Sequence, residues 1–429
     1  MINRNFTLIW TGQALSDIAG EMTSLALPLA VLATTHSATD AGLVGTASGI
    51  ALMVTMLPGG LIADTVDRRR LMIFCDAARA AVAVLLALAL FTGRLSTPLA
   101  VAAAAATAVL TMLFSPAEGG LLREVIPAGR RREAMTRNVV RSNVAIAVGP
   151  PIGGVLLGLG APLAFALDAA SYLVSMLLLS LVRHRRRPAG PAAPAERTLK
   201  QSLRHLGVEL TLGIPWLVRR RALLALVAWV AYINLLGRAV ELLAAVDSSD
   251  LGHDPAAAGI VLSAAGCGGI VGGITAGWVL RRMSPTAIVT TVTAAWLVLI
   301  PLTATGSQPV TVVAVFLLVL GLPTVGSLAR LTVSTDAPTH MQGRVGTAVV
   351  LGATSVAWLG PGVTGYLISA GGVVKAALVL AAPLTVALAL LAVSRRLRTA
   401  LNSLGQDPEE TTGADTEPQE PAATEAGGR

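Results

Sequence analysis

Residues 42–91 read GLVGTASGIALMVTMLPGGLIADTVDRRRLMIFCDAARAAVAVLLALALF. Two apolar runs, 42–63 and 71–91, flank a short polar turn ending in three consecutive arginines, Arg68, Arg69 and Arg70. Each run has the length, about 20 residues, that an α-helix needs to cross about 30 Å of hydrocarbon. Lipid offers a backbone no hydrogen-bond partners, so a spanning segment must satisfy its own, as a helix does. The stretch predicts a transmembrane hairpin with a basic turn.

The same reading holds over the rest of the chain, with further spans at 7–34, 98–122, 138–158, 162–182, 222–246, 257–280, 286–305, 309–330, 344–369 and 372–394. Twelve spans in 429 residues, with 54% hydrophobic and 13% charged residues and a mean hydropathy of +0.71, leave too little polar surface for a soluble domain. The predicted class is an all-α membrane protein of twelve transmembrane helices. The net charge of +8 does not point to nucleic acid, because the basic residues sit beside apolar spans and no basic face interleaves with aromatics on which bases would stack.

Lys and Arg fall in alternate loops. One set holds Arg4, Arg68 to Arg70, Arg130 to Arg132, the groups around Arg183 and Arg219, and Arg281 with Arg282, whereas the other set holds only Arg94 and Lys375. Positively charged loops stay in the cytoplasm, so both termini are expected there, in a multi-pass protein of a bacterial cytoplasmic (plasma) membrane. The first span is too long for a signal-peptide core, carries two carboxylates and reads as an uncleaved helix. Cys75 and Cys267 form neither a disulfide framework nor a metal spacing, the five histidines have no ligand partners, and no phosphate-binding loop is present. No metal, cofactor or ATP site is expected, and no catalytic constellation marks an enzyme.

The basic segment 183–221 breaks the hydropathy pattern and divides the spans six and six. The expected organisation is a first six-helix bundle over 1–182, a cytoplasmic linker over 183–221, a second bundle over 222–398 and a disordered acidic tail over 399–429. In the linker, Leu199, Leu203, Leu206, Leu210 and Leu217 recur at nearly helical spacing, which suits an amphipathic helix lying on the membrane or a soluble one. The halves echo each other. Ala41-Gly42-Leu43-Val44 leading to Gly59-Gly60 and the arginines matches Ala258-Gly259-Ile260-Val261 leading to Gly272-Gly273 and Arg281-Arg282, while Gly149-Pro150 with Gly153-Gly154 matches Gly360-Pro361 with Gly365. A duplicated unit of this kind puts its substrate site at the seam between halves.

The turn Gly60-Leu61-Ile62-Ala63-Asp64-Thr65-Val66-Asp67-Arg68-Arg69-Arg70 resembles the signature loop of the major facilitator superfamily, although Thr65 and Asp67 replace a base and a glycine of that pattern. The resemblance implies two pseudo-symmetric six-helix bundles rocking about a central cavity. It also implies a cytoplasmic gate of Gly60, Asp64, Arg68 and Arg69, continued by Asp76 and Arg79, which match the macrolide-efflux and enterobactin-exporter branch, while Glu118 with Arg141, toward cytoplasmic helix ends, reads as a gate pair or as snorkelling side chains. In it Gly60 would allow close helix approach, Asp64 would cap a helix or pair with a base, and the arginines would pair with carboxylates of neighbouring helices. Gly149, Pro150, Gly153 and Gly154 resemble the core of the antiporter signature of superfamily exporters, with Ala145 and Thr136 where the longer pattern has glycines. Gly12-Gln13 with Ser16, Ser115-Pro116-Ala117 and Asp168-Ala169-Ala170-Ser171 are similar to runs in the macrolide-efflux and enterobactin-exporter branch.

Ionisable groups inside hydrocarbon are costly unless paired or wetted, so each one is a candidate functional residue. Asp17 and Glu21, four apart on one face of the first helix, are the expected proton-coupling pair, with Asp17 first, since two adjacent carboxylates in a low dielectric cannot both hold charge cheaply. Satisfaction of these acids by Ser16, Thr23 or a base of the seventh span is the alternative. Arg238 and Glu241, three apart in the seventh span, suit either a substrate group or each other, and Asp168 suits a second titratable site or a packing contact. The expected function is a proton-driven antiporter exporting amphipathic drug, antibiotic or siderophore-like molecules, working as a monomer with the proton gradient in place of any cofactor. A proton symporter importing one specific solute is the alternative. With six Trp, six Phe and three Tyr in the whole chain, the cavity is expected to be lined by aliphatic and small residues. Thiols engineered beside Arg68 and in the Asp250 turn, in a variant lacking Cys75 and Cys267, should react from opposite sides of the membrane with an impermeant reagent; labelling from the same side would overturn this topology.

Overall fold

The computed structural model describes residues 3–182, 213–250, 255–338 and 341–404, among which there are fourteen α-helices and no strand. In chain order these are α1 (Arg4–Thr35), α2 (Ala38–Thr65), α3 (Arg68–Phe91), α4 (Thr97–Val125), α5 (Arg131–Leu159), α6 (Ala161–Ser180), α7 (Arg221–Asp250), α8 (Pro255–Arg282), α9 (Pro285–Leu302), α10 (Gln308–Leu320), α11 (Leu322–Asp336), α12 (Gln342–Thr354), α13 (Leu359–Val393) and α14 (Arg395–Asn402). Local chemistry sets the boundaries. The side chains of Ser37, Asp67, Ser284 and Ser394 accept the first free N–H groups of α2, α3, α9 and α14, and a proline opens α4, α6, α9 and α10.

Fourteen helices make twelve passes because α10 with α11, and α12 with the first part of α13, each form one interrupted span, the rest of α13 is the last span, and α14, of eight residues, is too short to cross. Pro323 has no N–H to give, so the tenth span breaks at Gly321 and restarts at Leu322. The run Gln342–Val393 is 52 residues, about 78 Å at 1.5 Å per residue, more than twice the hydrocarbon thickness. Gly372, with φ 81° and ψ 171°, reverses the chain within it, at a backbone geometry only glycine adopts without strain. The twelve expected spans are all present.

In the first half α2 packs along α4, α3 along α6, and α1 along α5 and α6; in the second, α8 packs along α10, and α7 and α9 along α13. The halves meet along α5 with α8 and along α2 with α13. These seams are built crosswise from the two sequence echoes. A Cβ on Gly42 would lie 2.5 Å from the Pro361 carbonyl oxygen, and a Cβ on Gly259 would lie 2.5 Å from that of Pro150. The glycine of each half therefore seats the Gly-Pro turn of helix of the other at backbone contact, as small residues permit between membrane helices. Leu25 and Leu29 of α1 close against Ala245 and Ala258 beside the same seams. All these closures lie at the end opposite Arg68 to Arg70 and Arg281 with Arg282, hereafter the far end and the basic end.

The expected linker falls largely outside the described residues; its last part, 213–219, is helical and buries Leu217. The start of the tail departs from expectation, because α14 runs past 399 and Leu401 and Leu404 are buried. Two apolar side chains at helical spacing suffice to hold this turn, and 405–429 lie outside the described residues. Gly42→Leu and Gly259→Leu should each part the far-end seams, so a cysteine placed at the buried Leu29 becomes reactive severalfold faster toward an impermeant thiol reagent, while Gly60→Leu, with nothing within 4 Å of its Cβ position, changes nothing.

Candidate functional site

The charged residues at mid-membrane fall into three groups. In the first, Arg141 of α5 reaches Asp17 of α1 through Nε at 2.8 Å and Glu118 of α4 through Nη1 at 2.7 Å. Arg141 is buried, and the carboxylates are partly so. One base between two acids ties three helices together and leaves an excess of negative charge. Asp17 is therefore the paired acid of α1, and its partner comes from α5.

One turn further along, Glu21 lies where α5 presses on α1. A Cβ on Gly149 would meet Glu21 Cβ at 2.6 Å and the Ile18 carbonyl oxygen at 2.8 Å, and one on Gly153 would meet the Met22 carbonyl oxygen at 2.7 Å. Gly149, Gly153 and Pro150 thus work as a single spacer, with the glycines against α1 and the proline carbonyl against Gly259. Gly154 is buried alongside. Glu21 is within electrostatic range of Asp17 and, across the seam, of Arg238 and Glu241. Arg238 Nη1 and Glu241 Oε2 are 2.9 Å apart, with side chains 58% and 49% exposed. A half-exposed ion pair deep within α7 and close to Glu21 faces a wet interior, since hydrocarbon would not tolerate it.

The third group is buried inside the first half. Arg79 donates to Asp76 at 2.6 Å, and Asp76 also accepts from Ser175 at 2.7 Å, whose oxygen accepts from Gln13 at 2.9 Å. The Arg79 guanidinium lies 4.4 Å from the Phe114 ring centre and 4.6 Å from that of Tyr172. Asp168, 4% exposed, accepts from Thr23 at 3.1 Å and lies within electrostatic reach of Arg79. This polar belt divides the apolar core of the first half into a basic-end layer around Met72, Phe114 and Leu121 and a far-end layer around Met22, Leu86 and Phe165.

At the basic end the gate differs from expectation in several members. Arg68 pairs with Asp64 at 3.2 Å and with Glu124, and its side chain lies over Gly120. Arg69 donates to the carbonyls of Leu179 and Ser180, capping the exposed end of α6 and pairing with no carboxylate among the described residues; terminal carbonyls draw a cation as an acid would. Asp67 caps α3 by accepting from the Arg70 N–H at 2.9 Å. Gly59, facing the Met112 carbonyl at 2.5 Å, makes the close approach expected of Gly60, because helix rotation turns Gly60 outward. Asp76 and Arg79 are not part of this gate, being two to three helical turns inside α3 within the buried belt. Glu118 and Arg141 likewise belong with Asp17. The partner of Asp17 was not read from the sequence, nor were the roles of Gln13 and Ser175; Ser175, four residues after Ser171 on the Asp168 helix, was the available signal.

The Major Facilitator Superfamily model matches residues 9–358. Over 347 residues the chain is 28% identical to "Multidrug efflux pump Tap" of Mycolicibacterium fortuitum, covering 77% of this chain and 81% of that one. A match of 27% identity to "Uncharacterized MFS-type transporter YkuC" of Bacillus subtilis spans 172 residues, 39% of either protein. Among solved structures, an inward-facing, unoccupied bacterial homologue of the human lysosomal transporter Spinster superposes with a TM-score of 0.72 at 14% identity, over 93% of this chain and 98% of that one. The nucleoside transporter NupG gives 0.71 at 12% identity, over 91% and 100%. The D-xylose-proton symporter gives 0.60 at 13%, over 94% and 98%. These structures share the fold.

Arg141→Gln would strand Asp17 and Glu118 facing each other. Loss of one partner from a buried pair costs about 3 kcal/mol, so the unfolding midpoint of detergent-purified protein should fall markedly, and adding Asp17→Asn with Glu118→Gln should recover most of it. Equal midpoints for Arg141→Gln and wild type would contradict the arrangement.

Proposed function

The chain belongs to the major facilitator superfamily, and from that premise we propose that it is a proton-coupled antiporter exporting amphipathic small molecules across a bacterial cytoplasmic membrane by alternating access. The observation carrying this reading is Glu21, a mid-membrane carboxylate on the seam between halves, beside the antiporter-like Gly149-Pro150 spacer and facing the Arg238–Glu241 pair. Asp17 is engaged by Arg141, so Glu21 takes the leading place in proton exchange and Asp17 the supporting one. Asp168 is a second reserve of protonatable charge in the buried belt.

The distribution of Lys and Arg supports a basic end, and both termini, on the cytoplasmic side. The closed far-end seams, with Asp17–Arg141–Glu118 and Arg68–Glu124 kept within the first half and Arg238–Glu241 within the second, support a state open toward the cytoplasm. In that state Glu21 gives up its proton and an amphiphile enters; once the halves rock, a proton from outside returns to Glu21 and the substrate leaves. Asp17, Glu21, Glu118 and Glu241 outnumber Arg141 and Arg238 around this path, which favours neutral or cationic amphiphiles over anionic, siderophore-like ones. The likeness to Tap supports export, and one chain holds both halves, which supports function as a monomer with no cofactor beyond the proton gradient.

Inverted membrane vesicles energised with a proton gradient should accumulate a cationic dye such as ethidium in the presence of this protein. Glu21→Gln should reduce accumulation to background, and Asp17→Asn should reduce it less. Full activity of Glu21→Gln would refute the coupling assignment, and gradient-driven accumulation in intact cells would refute export.

A further inference from the structure

A cavity of about 480 Å³ lies in the second half, between the basic-end portions of α8 and α9, with the break between α10 and α11 as its floor. Val279 and Met283 line it from α8, Ala295 and Val298 from α9, and Leu317 and Leu320 from α10. Its wall is almost wholly carbon, and the hydroxyl of Thr275 is turned back onto the Val271 carbonyl of its own helix. The hollow follows from the helix break. Gly268 and Gly272 fix α8 against the carbonyls of Phe316 and Leu320, and beyond them Gly321 and Pro323 end α10, leaving α8 and α9 to diverge. Val298 and Leu317 are exposed along it, so it opens to hydrocarbon and is separate from the charged interior.

Its mouth carries the opposite chemistry. Arg281 and Arg282 are exposed and have no ion-pair partner among the described residues, and Arg282 stacks 5.3 Å from the centre of the exposed Trp278 ring, an arrangement suited to the membrane interface. Arg395 and Arg396 of α14 are exposed at the same end, where α14 docks on the start of α9 through Thr286, whose hydroxyl donates to the Arg398 carbonyl at 3.1 Å. From Met283 to Thr275 the groove follows α8 for about 12 Å, close to the depth of one leaflet's chains, about 15 Å.

We propose that this groove is a resident lipid site, holding one acyl chain of an anionic phospholipid of the basic-end leaflet with its phosphate on Arg281 and Arg282. An apolar slot of leaflet depth under a pair of unneutralised arginines matches both parts of such a lipid, and basic pockets between helices on the cytoplasmic side hold anionic headgroups in this way. The chain fills the space that the Gly321 break opens and supports α9 where α10 and α11 do not.

The full-length protein, equilibrated in nanodiscs of equal phosphatidylglycerol and phosphatidylcholine and released into mild detergent, should retain about one phosphatidylglycerol per chain by native mass spectrometry. Ala295→Trp fills the groove and should abolish retention. Arg281→Gln with Arg282→Gln should reduce the preference for phosphatidylglycerol roughly tenfold or more. Unchanged retention in Ala295→Trp, or unchanged preference in the double variant, overturns the proposal, as does displacement of the lipid by an exported dye, which would make the groove a substrate port. If Ala295→Trp does not fold, the double variant, altering two exposed side chains, decides alone.

Discussion

Backbone contact between a glycine of one half and a proline carbonyl of the other, made twice, is the constraint on which this structure turns. Gly42 on Pro361 and Gly259 on Pro150 bring α2 to α13 and α5 to α8 closer than any side chain allows. Such contacts consist of dispersion between small surfaces with no charge to desolvate, and beside them, among the described residues, the Thr39 hydroxyl alone donates from α2 to α13, to the Gly365 carbonyl at 3.4 Å and the Ser369 hydroxyl at 2.9 Å. A seam of this type holds two bundles in register and still separates at modest cost. Pro150 serves it twice over, since its position within α5 also leaves that helix short of a hydrogen bond at the level where it must bend between neighbours.

Charge is distributed on the opposite plan. The strong pairs, Asp17–Arg141–Glu118, Asp76–Arg79 and Arg68–Glu124, lie within the first half, and Arg238–Glu241 lies within the second. Breaking a buried ion pair costs several kcal/mol, roughly 3–5, so pairs placed across the seam would lock it. Kept inside the halves, they stiffen each bundle and leave the seam free. Glu21 is the exception, a carboxylate beside the seam that feels charge from both halves.

How far the sequence disclosed this depended on whether a feature is local or needs a partner. The spans follow from hydropathy over windows of bilayer length, and the Gly-Pro and Ala-Gly echoes were visible because duplication repeats them. That the echoes face each other crosswise was not visible, since it depends on how two bundles dock. The choice between Gly59 and Gly60 depends on helix rotation of about 100° per residue, which an apolar run does not specify. Arg69 was expected to seek a carboxylate and found the end of α6, whose position is set by tertiary packing. Asp76 and Arg79 were grouped with the gate on the family resemblance, yet one helix carries them from the rim into the core within about three turns.

The two halves, alike in topology, have become mechanically different. In the first, α4 runs unbroken from Thr97 to Val125, and a belt of buried hydrogen bonds and ion pairs crosses the core between two apolar layers. Directional bonds of this kind resist sliding and favour one packing. In the second, a single apolar cluster takes in most of the core, with Ala38 and Ala41 of α2 joined to it, and two spans are interrupted, at Gly321 and between Thr354 and Leu359. Its directional bonds run singly between helix pairs, from Trp229 to Thr293, Tyr232 to the Leu380 carbonyl, Asn234 to the Ala353 carbonyl and Trp296 to the Leu318 carbonyl, and each interruption supplies a point where a helix can flex without breaking its ladder. The first half, with its belt of charged and hydrogen-bonded side chains, is therefore the more firmly cross-linked of the two. The second half, docked on it along the two glycine seams, holds the helix breaks at which its spans can adjust.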